Sequence, residues 1–574
     1  MKYTLTYDQP YRQNLKISAT FRVIGANQIT LNFPTWRPGR YELGNFAKNI
    51  TQFNVVDDQG VPRTYSKTTN DEWVIETEDC QYIIVTYYYY ASELNAGSTF
   101  IDDKQLYVNP VNCLIYNKNE QDLPCELTLN IPMNYEIACG LPFDRNKLIT
   151  KDFHVLVDTP FIASPSLQHY SYKLGPLTVH LWFQGECKID WARVKNDFIK
   201  FTRAQIKAFT KIPVDDYHFI YQITPYKTYH GVEHSHSTVI ALGPSYQLMN
   251  EMYDDFLGVS SHEFYHTWNI KDIRPIEMAP YDYSKPNYSK LGYIAEGVTT
   301  YMGDLFLSFS KVKSWTWLKK ELELLLTRHF ENYGRFNYSV AESSWDTWLD
   351  GYVKGIPNRK VSIYNEGALI AFVIDIKIRH NSKNKYSLHD AMQQLYLQFG
   401  DGQLGYTEKN YIDTISQFVG ENMASFFEKY AHTANSYESI LAEAFETCGL
   451  ELNTKPNPEY AKRLLGIKTI NTNKGVEITD IIVGSTADLA GLMIGDIIIS
   501  ANDIGIDKNL SEWLKYFEND QITLTINRRG KVINAICPHT NRTYYPTYQL
   551  NKVKIPSSLQ KRVFKKWCGY NFES

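Results

Sequence analysis

The residues best suited to chemistry are His262, Glu263 and His266 in the run SSHEFYHTWNIKDIRP, 260–275. On a helix, residues four apart stand on one face, one turn above the other. Both imidazoles then reach one metal ion, at His–Zn distances of about 2.0–2.1 Å. Glu263, beside the first histidine, is placed to take a proton from an attacking water, the zincin arrangement. A histidine pair at this spacing is otherwise just two hydrogen-bonding side chains, so the motif needs support from elsewhere. A catalytic zinc takes three protein ligands and leaves a fourth position open. Glu296, in IAEGVTTY, lies on a helical stretch among apolar neighbours, where a carboxylate needs a partner. Glu277, in RPIEMAP, is the alternative, on a proline-flanked loop that holds a ligand less firmly. Attack on a carbonyl also needs a donor for the developing oxyanion. Tyr364, just before the apolar helix of SIYNEGALIAF, is a candidate, although most of the 43 tyrosines are there to pack.

The elements that must position these groups follow from the rest of the chain. At 574 residues it exceeds one core and predicts three to five units at ~100–200 residues each. Hydrophobic content of 43%, charged content of 21% and a net charge of −4 describe a globular chain with no electrostatic footprint for nucleic acid or anionic membrane. No apolar run approaches the ~18 residues of a transmembrane helix. The eight cysteines are scattered without a C-x-x-C pair, which argues against a zinc ribbon or disulfide scaffold and for free thiols. MKYTLTYDQP lacks a signal-peptide h-region, so the expected compartment is cytoplasmic, with periplasm or secretion open if the sequence is a mature form. Oligomeric state is not legible.

Residues 1 to about 170 read as short strands rich in Val, Ile, Thr and aromatics, separated by turns such as DDQG, 57–60. That predicts a sandwich-like β domain, 1–172. Within it, PTWRPGRYELGNFAKNI (34–50) sets Trp36 and Tyr41 around a Pro-Gly turn; packing an edge is the plainer role, lining a site the sharper one. Strands LTVHLWFQG and YHFIYQIT, the helical WARVKNDFIKFTRAQIKAFTK, and helices from Tyr253 to about 449 make an α/β unit with a helical back, 173–453. TKPNPEY, 454–460, reads as a linker. A compact β-rich module occupies 461–539, and the basic, aromatic tail 540–574 is too short to fold alone and is expected to pack back on the body.

HEFYHTWNIKDIRP followed by AEGVTTY resembles the glycyl aminopeptidase family of gluzincin metallopeptidases. The likeness extends to PTWRPGRY, Asp158-Thr159-Pro160, SVAESS (339–344), YNEGAL (364–369) and a C-terminal PDZ domain. It implies a multidomain α+β chain: an N-terminal β domain, a thermolysin-like zinc peptidase domain and a PDZ domain. It also implies one Zn²⁺ per chain on His262, His266 and Glu296, with Glu263 as base and Tyr364 as oxyanion donor. GVEHS (231–235) looks like the amine-binding strand of related aminopeptidases, with Glu233 as amine anchor and Gly231 and His234 beside it. The run STVIAL (237–242) would then pair with the peptide main chain. The implied activity is release of small N-terminal residues, Gly or Ala, from peptides with a free N-terminus. Glu366 departs from the family's usual Lys and puts a charge near Tyr364. LLGI (464–467) resembles a PDZ carboxylate-binding loop, with the amides of Leu465, Gly466 and Ile467 receiving a peptide C-terminus. A second metal on His230, His234 and His236 is the weaker reading of that histidine run. Two other functions stay open: an endopeptidase on the same zinc chemistry, and a PDZ-containing peptide-binding protein with a vestigial peptidase domain.

Overall fold

The computed structural model describes residues 1–23, 25–353, 355–400 and 404–573. Alternation of apolar and polar residues builds the first part. Strands Asn14–Arg22 and Tyr82–Tyr90 pair antiparallel from Asn14↔Tyr90 to Arg22↔Tyr82, and each buries every second side chain. They lie in a six-stranded sheet, in the order 147–150, 125–130, 2–9, 14–22, 82–90, 50–57. A three-stranded sheet (28–32, 72–76, 65–69) and a four-stranded one (136–139, 161–164, 106–108, 100–101) complete this β region. Buried tyrosines serve it because the ring fills the core while the hydroxyl satisfies a carbonyl: Tyr3 donates to Ile115 O at 2.9 Å and Tyr87 to Cys113 O at 2.6 Å.

The next sheet holds the site. Its five strands run in the order Gln168–Leu174, Leu177–Gln184, Asp216–Ile223, Ser237–Gly243, Thr228–Glu233. Ser237–Gly243 is buried at every position and paired on both sides. This corrects the expectation that 237–242 offers an edge to a peptide. The edge strand is Thr228–Glu233, and a strand with the continuous apolar run VIALG belongs in the sheet interior. Helices Trp191–Phe209, Tyr253–Tyr265, Gly292–Phe309, Trp315–Phe330 and Ile363–Asn381 pack behind it, sharing one core that includes Phe201, Phe219, Phe264 and Leu369.

The loop 34–50 packs in a second core, which joins the β region to residues of the peptidase part such as Tyr281, Ala295 and Trp348. Trp36 is fully buried, donates from Nε1 to Asp282 O at 2.7 Å, and meets the Trp348 ring edge-on at 5.0 Å. After the helical back, Leu450–Lys455 is a strand paired with Thr547–Lys552, so the prolines of the 454–460 segment follow a strand end. Helix Ser558–Cys568 buries Phe564 and Trp567, and Trp567 Nε1 donates to Tyr301 OH at 2.8 Å. Between these lies an antiparallel module with its own core, including Leu465, Ile478, Ile498 and Leu524. It touches the helical part through Lys468 on Glu331 at 3.2 Å and Asn358 on Asp480 at 3.2 Å. Among the described residues no helix is long and apolar enough to cross a membrane, and all eight cysteines are unpaired.

Candidate metal centre

Helix Tyr253–Tyr265 carries His262 on its last turn, and His266 follows as the C-cap, still in right-handed helical conformation. The spacing therefore does what the sequence predicts. The two imidazole Nε2 atoms stand 3.0 Å apart with the rings at 85°. Glu296 comes from the next helix, its Oε2 3.4 Å from His266 Nε2 and 3.8 Å from His262 Nε2. Two nitrogens and a carboxylate oxygen converge on one point, a donor set that would suit a tetrahedral ion such as zinc and leave a position to spare. Glu277 lies elsewhere and accepts from Ser289 Oγ at 3.1 Å.

Supporting contacts fix the donors. His266 Nδ1 is 2.9 Å from Asn269 O, so it carries the proton and leaves Nε2 free to ligate. The Asn269 amide nitrogen reaches Ile294 O, Ala295 O and Thr299 Oγ1, each at 3.0 Å, which ties the histidine segment to the Glu296 helix. Tyr41 reaches across from the β region and donates to Glu296 Oε1 at 3.0 Å. The loop 34–50 thus both packs and lines the site. Burial alone would raise the Glu296 pKa, but the facing imidazoles, His266 first, bring it down to about 2.

Glu263 is buried, with Oε2 lacking any protein partner, and burial pushes its pKa up to about 8 against the pull of His266. Its Oε1 lies against Gly231: a Cβ there would stand 2.2 Å away, so any larger residue would displace the Glu263 carboxylate. Glu233 is also buried, with Oε1 unpartnered, and its Oε2 would meet a Cβ on Gly39 at 2.6 Å. Buried carboxylate oxygens without partners are costly, and here they face a cleft of about 1110 Å³ lined by Gly39, His230, Glu233, His262, Glu263, His266, Glu296 and Tyr364. Glu233, Glu263 and His266 also come within ligand range of one another, but His266 has one outward nitrogen and serves one ion.

Tyr364 opens helix Ile363–Asn381, with its ring centroid 6.5 Å from that of His262. Burial, then the charge of Glu296 and the neighbouring phenol of Tyr352, a residue that no motif in the sequence marks, raise its hydroxyl pKa well above the usual phenol value. Glu366, the departure near Tyr364, accepts at Oε2 from His329 Nδ1 at 2.7 Å.

Three expectations change. His234 does not face the cleft; successive residues of an extended segment point to opposite sides, and its Nδ1 meets Asp158 Oδ1 at 3.1 Å. His230 Nε2 is 3.3 Å from the Arg37 guanidinium, so the 230/234/236 histidines do not gather on an ion. Leu465 and Ile467 are fully buried, and the Gly466 N–H is bonded to Lys462 O at 3.1 Å beneath the Tyr544 ring. The segment 461–465 has wound into a turn of π-helix, so the Gly466 amide is not free for a peptide carboxylate.

Residues 2–165 match the peptidase M61 N-terminal domain, residues 255–370 the M61 glycyl aminopeptidase, and residues 477–528 a PDZ domain. The fold is similar over 99% of both chains to the crystal structure of an aminopeptidase N family protein from Idiomarina loihiensis, at 24% identity and a TM-score of 0.89. An M1 zinc metallopeptidase from Deinococcus radiodurans matches 76% of this chain and 94% of its own, at 12% identity and a TM-score of 0.46. No curated protein matches the chain.

Proposed function

Taking the chain as a peptidase with the parts of the M61 glycyl aminopeptidase family, we propose that it is a zinc-dependent aminopeptidase releasing small N-terminal residues, Gly or Ala, from peptides. The observation that carries this is one cleft in which a His-His-Glu donor set stands beside two buried, unpartnered carboxylate oxygens, on Glu263 and Glu233. His262, His266 and Glu296 would hold one Zn²⁺, which supplies the Lewis acidity that polarises a carbonyl and acidifies water.

Every other part of the mechanism belongs to the chain. Glu263 takes the proton of the attacking water and delivers it to the leaving amine, a task suited to a carboxylate with a raised pKa. Tyr364, its hydroxyl kept protonated by burial and by the charge of Glu296, donates to the oxyanion as charge develops there. Glu233 pairs with the free α-ammonium of the substrate, and the edge strand Thr228–Glu233 offers main-chain groups to an extended peptide. With Glu233 within 4.8 Å of His266, an ammonium held there would set the substrate's N-terminus one residue from the scissile bond.

The test compares an Ala- or Gly-initiated peptide with its N-acetylated form under wild-type enzyme. Release of the first residue from the free peptide alone supports the amine anchor. Equal hydrolysis of both points to an endopeptidase instead. Absence of bound zinc and of hydrolysis favours a peptide-binding role through the PDZ domain.

A further inference from the structure

Asp158 closes helix Phe153–Val157 in the β region, yet its carboxylate binds segments of the peptidase part. Oδ1 accepts from Lys271 Nζ at 2.8 Å and from His234 Nδ1 at 3.1 Å. Oδ2 accepts from the Ser235 amide at 2.9 Å and from Ser235 Oγ at 2.7 Å. His234 and Ser235 form the turn directly after Glu233. Lys271 follows His266, and its own amide donates to His266 O at 3.2 Å. One carboxylate therefore ties the segment holding the amine-binding glutamate to the segment holding a metal-binding histidine.

The tie is a strong one. Lys271 is almost wholly buried, its ammonium paired with this one carboxylate among the described residues. Charge-assisted bonds of this kind are short and about twice as strong as neutral ones. Burial opposes charge on Asp158, yet Lys271 and His234 hold its carboxyl far below the usual carboxylate range. Four bonds to three side chains and one amide fix the turn in both position and direction, in a place where Glu233 makes few bonds of its own.

We propose that Asp158 is a positioning residue that sets the separation between Glu233 and the metal donors, so that the β region fixes where the substrate amine sits. This rests on Glu233 as the amine anchor. It explains why a carboxylate from a separate sheet system is spent on a turn that does not itself touch the cleft.

The test uses the full chain with Asp158→Asn and Ser235→Ala, monitored by zinc content, melting and kinetics on free and N-acetylated peptides. A misplacement of the anchor is expected to raise KM for the free-amine peptide by about tenfold, with a ceiling near 10²-fold, while kcat changes less and zinc content holds. Ser235→Ala, which keeps the amide bond and loses only Oγ, moves KM in the same direction by a smaller factor. A merely scaffolding role would lower melting or zinc retention and leave KM and the free-to-acetylated preference as they were. If Asp158→Asn does not fold, an unchanged KM in Ser235→Ala overturns the inference. Wild type that prefers free amines with both variants doing so equally sinks this inference alone. Wild type with no such preference removes the amine anchor and this inference with it.

Discussion

Of two histidine clusters in the peptidase half, one converges on a point and the other does not. His262 and His266 meet edge-on at 85° with Nε2 atoms 3.0 Å apart, and Glu296 completes the set. His169, His180 and His218 sit on three neighbouring strands instead. Their rings stack nearly parallel, 5.2 Å and 4.2 Å apart, with interplanar angles of 7° and 8°. Their nitrogens are spent on neighbours: His169 Nε2 meets His180 Nδ1 at 3.0 Å, and His218 Nδ1 accepts from Trp182 Nε1 at 3.0 Å. Burial lowers the His218 pKa to about 2, so it stays neutral. The difference lies in the backbone. Strand positions opposite one another present ring faces, as His180 and His218 do in register, whereas an i,i+4 pair on a helix aims lone pairs at a common point. Imidazole count does not make a metal site; convergence with a carboxylate does.

Perturbing the two clusters should therefore give opposite results. The largest effect is expected for Glu296→Gln, which removes the anionic member of the proposed ligand set. Zinc retention after dialysis should fall by more than the about 10–100-fold that loss of an outer partner costs, and turnover should fall with it. Tyr364→Phe should keep zinc and lose about 10²–10³ in kcat, as removal of an oxyanion donor does. Tyr41→Phe strips Glu296 of its outer hydrogen bond and should cost about 10–100-fold in zinc affinity or activity, measured by competition with a chelator. His180→Asn, in the stacked cluster, should leave zinc content and turnover at wild-type levels; a loss of zinc there would break the contrast.

The smallest effect concerns stability. Asp304 lies on the Glu296 helix and lines the cleft, where burial, with Glu321 adding to it, raises its pKa to about 8. Its folded pKa lies above its unfolded value of about 3.9, so ionisation is favoured in the unfolded chain. Wild-type stability is thus eroded as pH rises from about 4 to about 8 and levels off above. Asp304→Asn should melt higher than wild type by a margin that grows across that window. A margin independent of pH would show that the carboxyl is not desolvated.

Much of this site was legible because it is local. Five residues fix the helix face of His262 and His266, and the apolar setting of Glu296 separates it from loop-borne Glu277. Tyr364 could not be picked from 43 tyrosines by spacing, and came forward only through the family likeness. Tyr41, Tyr352, Asn269 and Asp158 act through contacts between distant segments. Tyr41 meets Glu296 across 255 positions and Asp158 meets Lys271 across 113, and no periodicity encodes such pairings. The edge-strand error had a visible signal: VIALG is unbroken in its apolar character, whereas TYHGVE is not. The LLGI loop was misread because its side-chain pattern fits a carboxylate loop while the Gly466 amide is taken by a π-turn and Tyr544 of the following segment lies against that glycine.

The most direct measurement is turnover and metal content of Glu263→Gln beside wild type, on an Ala-initiated peptide. The glutamine keeps size and position but cannot take a proton. One zinc per chain with turnover reduced by at least about 10²–10⁴-fold is the result the mechanism predicts. Near-wild-type turnover in a zinc-loaded Glu263→Gln protein would contradict it.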